Sequence, residues 1–377
     1  MRLIKIKFGS VIVALMVILT STMLSFFTIE LTYRFLSPGL VQRVDSKSAR
    51  TMLFSVGDNF RNEEMFFRYH PHKEIRSVTL YSTLEPKAID DIVVEYDYDI
   101  RTNNAGLVMS RDIEIGEKVI LVVGDSFTEG QGATPWFYEL EANWNGSAKL
   151  INLGIMGTGP MQWWFLAERV VEEFDLEVEG VVINIILGDL VRSVWNFSEE
   201  SLDCLSIGLC RYKGDIQGVD FSLLNDDLKI RQLVLDSAHR PSVSELLMPS
   251  RGLDRFKHFV KELLKKSKIL VTIRGYFKPT DLIEKNKNSI VKIANLAKNN
   301  ARMVVINTKE FSSNPDIEYA SYEAGILRSL SDIKSVPLSW CNPGANGFHV
   351  NDGHPNANGY LRVRDCTLQA AKKMINP

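Results

Sequence analysis

A short apolar strand that ends abruptly in Gly-Asp-Ser constrains this chain more than any other stretch. Residues 119–123 are uniformly apolar and mostly β-branched, and Gly124, Asp125 and Ser126 follow them directly. Such a run, bounded by glycine, is typical of a fully buried parallel strand. Ligands of open α/β sheets bind beyond the carboxyl ends of the strands, so Ser126 lies where a reactive side chain is useful. A serine that only caps a helix is the alternative interpretation.

The rest of the chain continues the alternation of strands and helices. Four further apolar runs have strand character: 150–152, 181–187, 268–273 and 303–306. Helical patterns cover 161–174, 281–298 and 357–374. This alternation predicts an α/β fold with a doubly wound, flavodoxin-like, five-stranded parallel sheet in a three-layer α/β/α arrangement.

The N-terminus carries a basic flank and then a long apolar stretch. Arg2, Lys5 and Lys7 precede an uncharged run over residues 8–29, and the first acidic residue is Glu30. About twenty such residues span a bilayer as a helix, and basic flanks tend to stay in the cytoplasm. We expect an uncleaved transmembrane anchor in the cell (inner) membrane, with the following domain on the periplasmic or extracellular side. A cleaved signal peptide is the alternative, although no A-x-A-like cleavage site is evident.

These patterns divide the chain into three parts: 1–35 with the basic flank and anchor, 36–112 with a stalk and lead-in, and 113–377 with the α/β domain. The lead-in shows no clear pattern up to about residue 73, and we expect it to be loosely folded there. Apolar and polar residues alternate over much of 91–100, which predicts one half-exposed strand packed on the main domain. The pattern lapses again at about 191–255, which we interpret as an insertion near the site; a passive excursion is the alternative.

Composition excludes some classes of protein. The formal net charge of −2 argues against a nucleic-acid-binding protein, because such proteins usually carry a strong basic excess. No Cys-x-x-Cys pair occurs, so we expect no zinc site. In an oxidising compartment Cys204 and Cys210 can close a small loop, and Cys341 and Cys366 flank the His354 segment. Four unpaired thiols are the alternative.

Four short segments carry the candidate chemistry: 124–130, 152–157, 187–190 and 351–359. A serine hydroxyl is a poor nucleophile unless a base removes its proton, and His354 can be that base for Ser126. A carboxylate must hold the imidazole and stabilise its charged form, and Asp352 can do so from the same loop. The negative oxygen that develops needs donors, for which the backbone amides of Ser126 and Gly157 are candidates.

These segments, in this order, resemble the signature blocks of the SGNH/GDSL hydrolases. The lead-in is similar to that of the membrane-anchored bacterial members, which have an Asn-x-x-Gly segment (here residues 103–106) before the strand into Gly-Asp-Ser. The resemblance extends to the C-terminus and is weaker in the insertion. It implies a fold of SGNH-hydrolase type, with Ser126 as nucleophile, His354 as general base and acid, and Asp352 as its partner. The Ser126 and Gly157 amides are implied as oxyanion-hole donors.

Two positions depart from the family pattern. Gly188 stands where the family's third block has an Asn that donates to the oxyanion, so a residue from the insertion or the Gly188 amide itself has to substitute for it. Losing one such donor costs about a hundredfold in rate or more. The family often has Asp three residues before the histidine, where this chain has Asn351. We expect Asp352 to take the role, because a carboxylate stabilises imidazolium better than an amide does.

The resemblance implies a serine ester hydrolase that acts through an acyl-serine intermediate at Ser126, with no metal and no organic cofactor. From the expected location and the family, we expect O-acylated cell-surface glycans or lipid-linked sugars as substrates, a membrane acyltransferase as a partner, and no nucleic acid. An O-acyltransferase of the cell envelope is the nearest alternative. A non-catalytic glycan-binding or assembly protein on the same fold is a second alternative, motivated by Gly188.

Overall fold

The computed structural model describes residues 48–83, 86–208, 216–224, 226–238, 280–298, 302–307, 336–344 and 346–375, together with Ser21 and Ser25. Every described residue from 48 onward belongs to one compact unit, Ser48–Ser242 with Pro279–Pro377. Apart from Ser21 and Ser25, the predicted anchor lies outside the described residues. Within the described part of the chain, no helix is both long and apolar enough to cross a membrane.

The described residues from 48 onward form eleven strands and seven α-helices. The strands are β1 (Ser48–Ser55), β2 (Phe60–Asn62), β3 (Phe67–Tyr69), β4 (Glu74–Thr83), β5 (Ile92–Arg101), β6 (Lys118–Gly124), β7 (Lys149–Gly154), β8 (Glu177–Ile185), β9 (Ile216–Val219), β10 (Arg302–Asn307) and β11 (Leu338–Cys341). The helices are α1 (Ser126–Glu129), α2 (Trp136–Asn143), α3 (Pro160–Glu173), α4 (Glu199–Ile207), α5 (Asp227–Ala238), α6 (Thr280–Ala294) and α7 (Ala357–Ile375).

Five parallel strands form the central sheet, in the order β7-β6-β8-β10-β11. The chain moves one way from β6 to β7 and the opposite way from β8 onward, which is the flavodoxin-like order. The predicted α/β fold with a five-stranded parallel sheet is therefore confirmed. Helices α2 and α7 pack against each other, as do α3 and α6, and six of the seven residues of β6 are buried. This burial explains why β6 is an unbroken apolar run in the sequence.

The edge strand β11 was not expected from the sequence. Its side chains alternate in exposure, with Leu338 and Trp340 exposed, so it lacks the apolar run that marks the inner strands. The predicted strand at 268–273 lies outside the described residues. Cys341, at the end of β11, forms a disulfide with Cys366 of α7. Cys204 is also disulfide-bonded, so the alternative of four unpaired thiols is wrong.

Three strands of the lead-in and β9 of the insertion form an ordered second sheet, the lead-in sheet, with the strand order β5-β4-β1-β9. Its pairs are antiparallel except for the parallel pair of β1 with β9. The expectation of a loosely folded stretch is therefore wrong for residues 48 to 73. Strand β1 is buried on both faces: Phe54 packs into the same core as the central sheet, and Leu53 into a separate cluster. A strand buried on both faces shows no alternation that the sequence can reveal.

Candidate active site

Strand β6 delivers Ser126 to the carboxyl edge of the central sheet. Ser126 follows the strand directly as the first residue of α1, where the strand order reverses between β6 and β8. Asp125, not Ser126, caps this helix, because its Oδ1 accepts a hydrogen bond from Phe127 N at 2.9 Å. The alternative of a serine that only caps a helix is therefore wrong. Gly154 of β7 passes so close to α1 that a Cβ there would collide with the backbone of Thr128 and Glu129.

Ser126, His354 and Asp352 form a continuous hydrogen-bonded chain. Ser126 Oγ lies 2.8 Å from His354 Nε2, and His354 Nδ1 lies 2.7 Å from Asp352 Oδ1. The histidine and the aspartate come from the loop before α7, in which His349 N donates to His354 O at 3.1 Å. In this arrangement His354 can remove the proton of the hydroxyl while Asp352 stabilises the imidazolium.

Asp352 and Asn351 point to different partners. The Asn351 backbone N and Nδ2 donate to the two carboxylate oxygens of Glu95 on β5, at 2.8 and 2.7 Å, while Asp352 faces His354. Burial alone would raise the pKa of Asp352, but His354, Arg50 and Tyr96 outweigh burial and hold this pKa below its usual range. The Asp352 carboxyl group is therefore ionised at neutral pH.

Residues of the lead-in sheet also reach Asp352. Tyr96 of β5 contacts its second carboxylate oxygen at 2.8 Å, and Arg50 of β1 forms an ion pair with that oxygen at 4.0 Å. No motif marks these residues in the sequence. The alternation at 91–100 predicts a strand with an inward face, and Tyr96 lies on it, but the pattern does not indicate what that face contacts.

The candidate oxyanion donors are backbone N–H groups. Gly157 adopts a left-handed conformation, with φ of 71°, in the turn after β7, and Trp195 Nε1 donates to its carbonyl oxygen at 3.1 Å. Within the described structure, the N–H groups of Ser126 and Gly157 donate no hydrogen bond to the protein. Gly188 is exposed, and a Cβ placed on it would meet no atom within 4 Å. Open space therefore exists where the family has an Asn side chain.

Arg192, which no sequence motif marks, connects the loops around this side of the site. Its Nη1 lies 3.0 Å from Asp125 Oδ2, 2.7 Å from the Thr158 carbonyl oxygen and 3.0 Å from Asp189 Oδ1. These three partners adjoin Ser126, Gly157 and Gly188 in the sequence. One guanidinium thus links the three turns that bear the candidate donors.

Glu129 supports the Gly157 turn from within the core. It is fully buried, and its carboxylate accepts hydrogen bonds from Tyr69 OH at 2.8 Å and from the Met156 backbone N–H. Burial raises the pKa of Glu129 to about 8, against the opposing effect of these hydrogen bonds. Glu129 was not singled out from the sequence, because a glutamate in α1 has no pattern that reveals its burial.

The other described histidines have local contacts. The His349 ring nitrogen lies 2.8 Å from the Gly132 carbonyl oxygen, and His70 pairs with Asp58 at 3.1 Å. Across the described ranges, no group of three or more His, Cys, Asp or Glu side chains is arranged to hold a metal ion.

No protein-family model and no curated protein matches this chain. Solved structures do resemble it. A GDSL-like lipase from Bacteroides thetaiotaomicron is 15% identical over 68% of this chain and 88% of its own, with a TM-score of 0.28. A member of the lipolytic G-D-S-L family from Veillonella parvula is 12% identical over 67% and 97%, with a TM-score of 0.30. A family two carbohydrate esterase from Cellvibrio japonicus is 9% identical over 87% and 98%, with a TM-score of 0.27.

The solved structures that this chain resembles include GDSL and SGNH hydrolases, the family whose signature blocks the sequence resembles.

Proposed function

We propose that this protein is a serine ester hydrolase that acts through an acyl-serine intermediate. The observation that carries the proposal is the chain of short contacts from Ser126 Oγ through His354 to Asp352, at 2.8 and 2.7 Å. As Oγ bonds to the ester carbonyl carbon, His354 Nε2 takes its proton. The ester C–O bond then breaks, and the histidine gives that proton to the departing alcohol. His354 then takes a proton from water as the water oxygen bonds to the acyl carbon; the bond from that carbon to Oγ breaks, the histidine returns the proton to Oγ, and the acid leaves.

The surroundings of these residues support the proposal. The low pKa of Asp352 keeps a negative charge beside the imidazolium that forms during the reaction. The amides of Ser126 and Gly157 are donors for the tetrahedral oxyanion. The site therefore has both a route for the proton and groups that stabilise the developing charge.

We further propose an O-acylated cell-surface glycan or a lipid-linked sugar as substrate, with the site on the periplasmic or extracellular side of the inner membrane. The apolar stretch at 8–29 and the resemblance to the membrane-anchored members support this location. A membrane acyltransferase remains the proposed partner. The substrate class follows from the location and the resemblance and from no individual residue.

The test uses the purified full-length protein with a fluorophosphonate probe and with p-nitrophenyl acetate. We expect labelling and turnover in the wild type, loss of both in Ser126→Ala, and a fall in turnover of about ten thousandfold or more in His354→Ala. Ser110→Ala, which changes an exposed serine, is the control and keeps both signals.

Two other outcomes have distinct meanings. Labelling without hydrolysis, followed by turnover when a sugar acceptor is added, would identify an O-acyltransferase. A folded wild-type protein with neither labelling nor turnover would overturn the proposal and favour a non-catalytic glycan-binding protein.

A further inference from the structure

The lead-in sheet reaches the candidate site behind Asp352. The two carboxylate oxygens have separate partners: Oδ1 contacts His354 Nδ1 at 2.7 Å, and Oδ2 accepts a hydrogen bond from Tyr96 OH at 2.8 Å. Arg50 Nε lies 4.0 Å from the same Oδ2, an ion pair beyond hydrogen-bond distance. Rotation of the carboxylate would break contacts on both sides, so its plane is held by two elements that are remote from each other in sequence.

The direction of the Tyr96 hydrogen bond follows from its other neighbours. Gln131 Nε2 and Arg50 Nη2 approach the phenol oxygen at 2.8 and 3.4 Å. Both are donors, so the oxygen accepts from them and its single proton is directed to Asp352. Gln131 follows α1, and its backbone N–H donates to the Ser126 carbonyl oxygen at 3.0 Å. The network thus links Asp352 to the segment that carries Ser126.

We propose that Tyr96 and Arg50 are positioning residues that act through Asp352 to hold the His354 imidazole with Nε2 facing Ser126. This inference rests on the proposed hydrolase function. Asp352 is only 5% exposed, so protein groups rather than water must satisfy its charge. Tyr96 and Arg50 meet that need from β5 and β1, so these two residues of the lead-in sheet hold the carboxylate that contacts His354.

Several ionisable groups besides Arg50 lie around the Asp352–His354 pair and its supporting residues. Tyr81 of β4 interacts with Asp352, Glu95 of β5 holds the neighbouring Asn351, and the His349 ring packs on Tyr96 at 4.8 Å. On the Ser126 side, Asp125 is paired with Arg192. Glu95, Asp125 and Asp352 are all acidic, so removing the Arg50 charge makes protonation of the Asp352–His354 pair easier.

The first test compares two tyrosines of β5 in the full-length protein. Tyr96→Phe removes the hydrogen bond to Asp352 and should lower kcat by about tenfold while KM for p-nitrophenyl acetate stays unchanged. Tyr98 lies on the same face of the strand and is similarly buried, 6% against 5% exposed. Within the described structure its hydroxyl makes no hydrogen bond to Asp352, so Tyr98→Phe should keep kcat within about twofold. Equal losses in both variants, or none in Tyr96→Phe, would overturn the inference.

The second test separates the charge of Arg50 from its packing. Arg50→Gln should move the acid limb of the kcat/KM profile to higher pH, because protonation of the Asp352–His354 pair becomes easier without the nearby cation. Arg50→Lys keeps the charge and should retain the wild-type limb. A purely structural role would instead affect both variants without separating their pH profiles.

A third measurement does not depend on activity. The proton on His354 Nδ1 gives a downfield NMR signal, assigned by its disappearance in His354→Ala. A shift of this signal in Tyr96→Phe but not in Tyr98→Phe supports the positioning role even if the wild type is inactive and the proposed hydrolase function fails. Identical signals in the wild type and Tyr96→Phe overturn the positioning role even if the wild type is an active hydrolase.

Discussion

The two sides of Ser126 differ in how completely they are built. On the side of proton transfer, His354 contacts Asp352, and Asp352 is held in turn by Tyr96 and Arg50. On the oxyanion side, Gly188 has no side chain and adjoins open space, so the candidate donors there are backbone amides. The proposed proton transfer therefore rests on side-chain contacts, whereas the proposed oxyanion stabilisation rests on the backbone of the turns.

The complete side should be the more sensitive to substitution. Asp352→Asn should lower kcat by about a thousandfold to ten thousandfold, because an amide does not stabilise imidazolium and favours the wrong histidine tautomer. Turnover of p-nitrophenyl acetate measures the effect. Asn351→Ala is the matched control, since Asn351 binds Glu95, and it should cost less than about tenfold. Similar losses in both variants would show that the loop conformation, and not the carboxylate, is what matters.

A new hydrogen-bond donor on the oxyanion side, which lacks a side chain at Gly188, should raise kcat. Gly188→Asn should raise kcat by about tenfold, less than the full effect of an evolved oxyanion donor. A Cβ at Gly188 meets no atom within 4 Å, so the side chain can be accommodated. Gly188→Ala adds the Cβ without a donor and should keep the wild-type kcat. Equal kcat values in all three proteins would mean that the turns linked by Arg192 already supply the required stabilisation.

A separate prediction concerns the stability of the fold beneath the oxyanion side. The pKa of Glu129 is raised from 4.5 to about 8 by burial, so the unfolded state releases this proton first. The contribution of Glu129 to stability is therefore full below about pH 4.5 and is progressively lost as pH rises towards 8. Glu129→Gln removes this titration. As pH rises from 5 to 8, the free energy of unfolding of the variant should therefore increase relative to that of the wild type, by an amount of the order of a few kcal/mol.

Urea unfolding at several pH values measures this difference. Glu172→Gln, at an exposed position of α3, is the control and should follow the wild-type pH dependence. A constant difference between Glu129→Gln and the wild type from pH 5 to 8 would contradict the prediction and mean that the folded state does not retain the proton.

The fold was predictable where burial leaves a local signature. Strands β6, β8 and β10 are apolar runs because helices cover both faces of the central sheet. The signature fails at β11, an edge strand with alternating exposure, and at β1, which is buried on both faces and mixes polar with apolar residues. Thr51, for example, is buried although its side chain is polar.

By itself, the sequence determined the parallel-sheet class and the candidate residues Ser126, His354 and Asp352, because each belongs to a short segment with a recognisable local pattern. Only the tertiary structure decided that Tyr96, 256 residues before Asp352, donates to its carboxylate, and that Arg192 links the turns around the oxyanion side. Such contacts arise from the packing of separate sheets and loops, and no local spacing of residues encodes that packing.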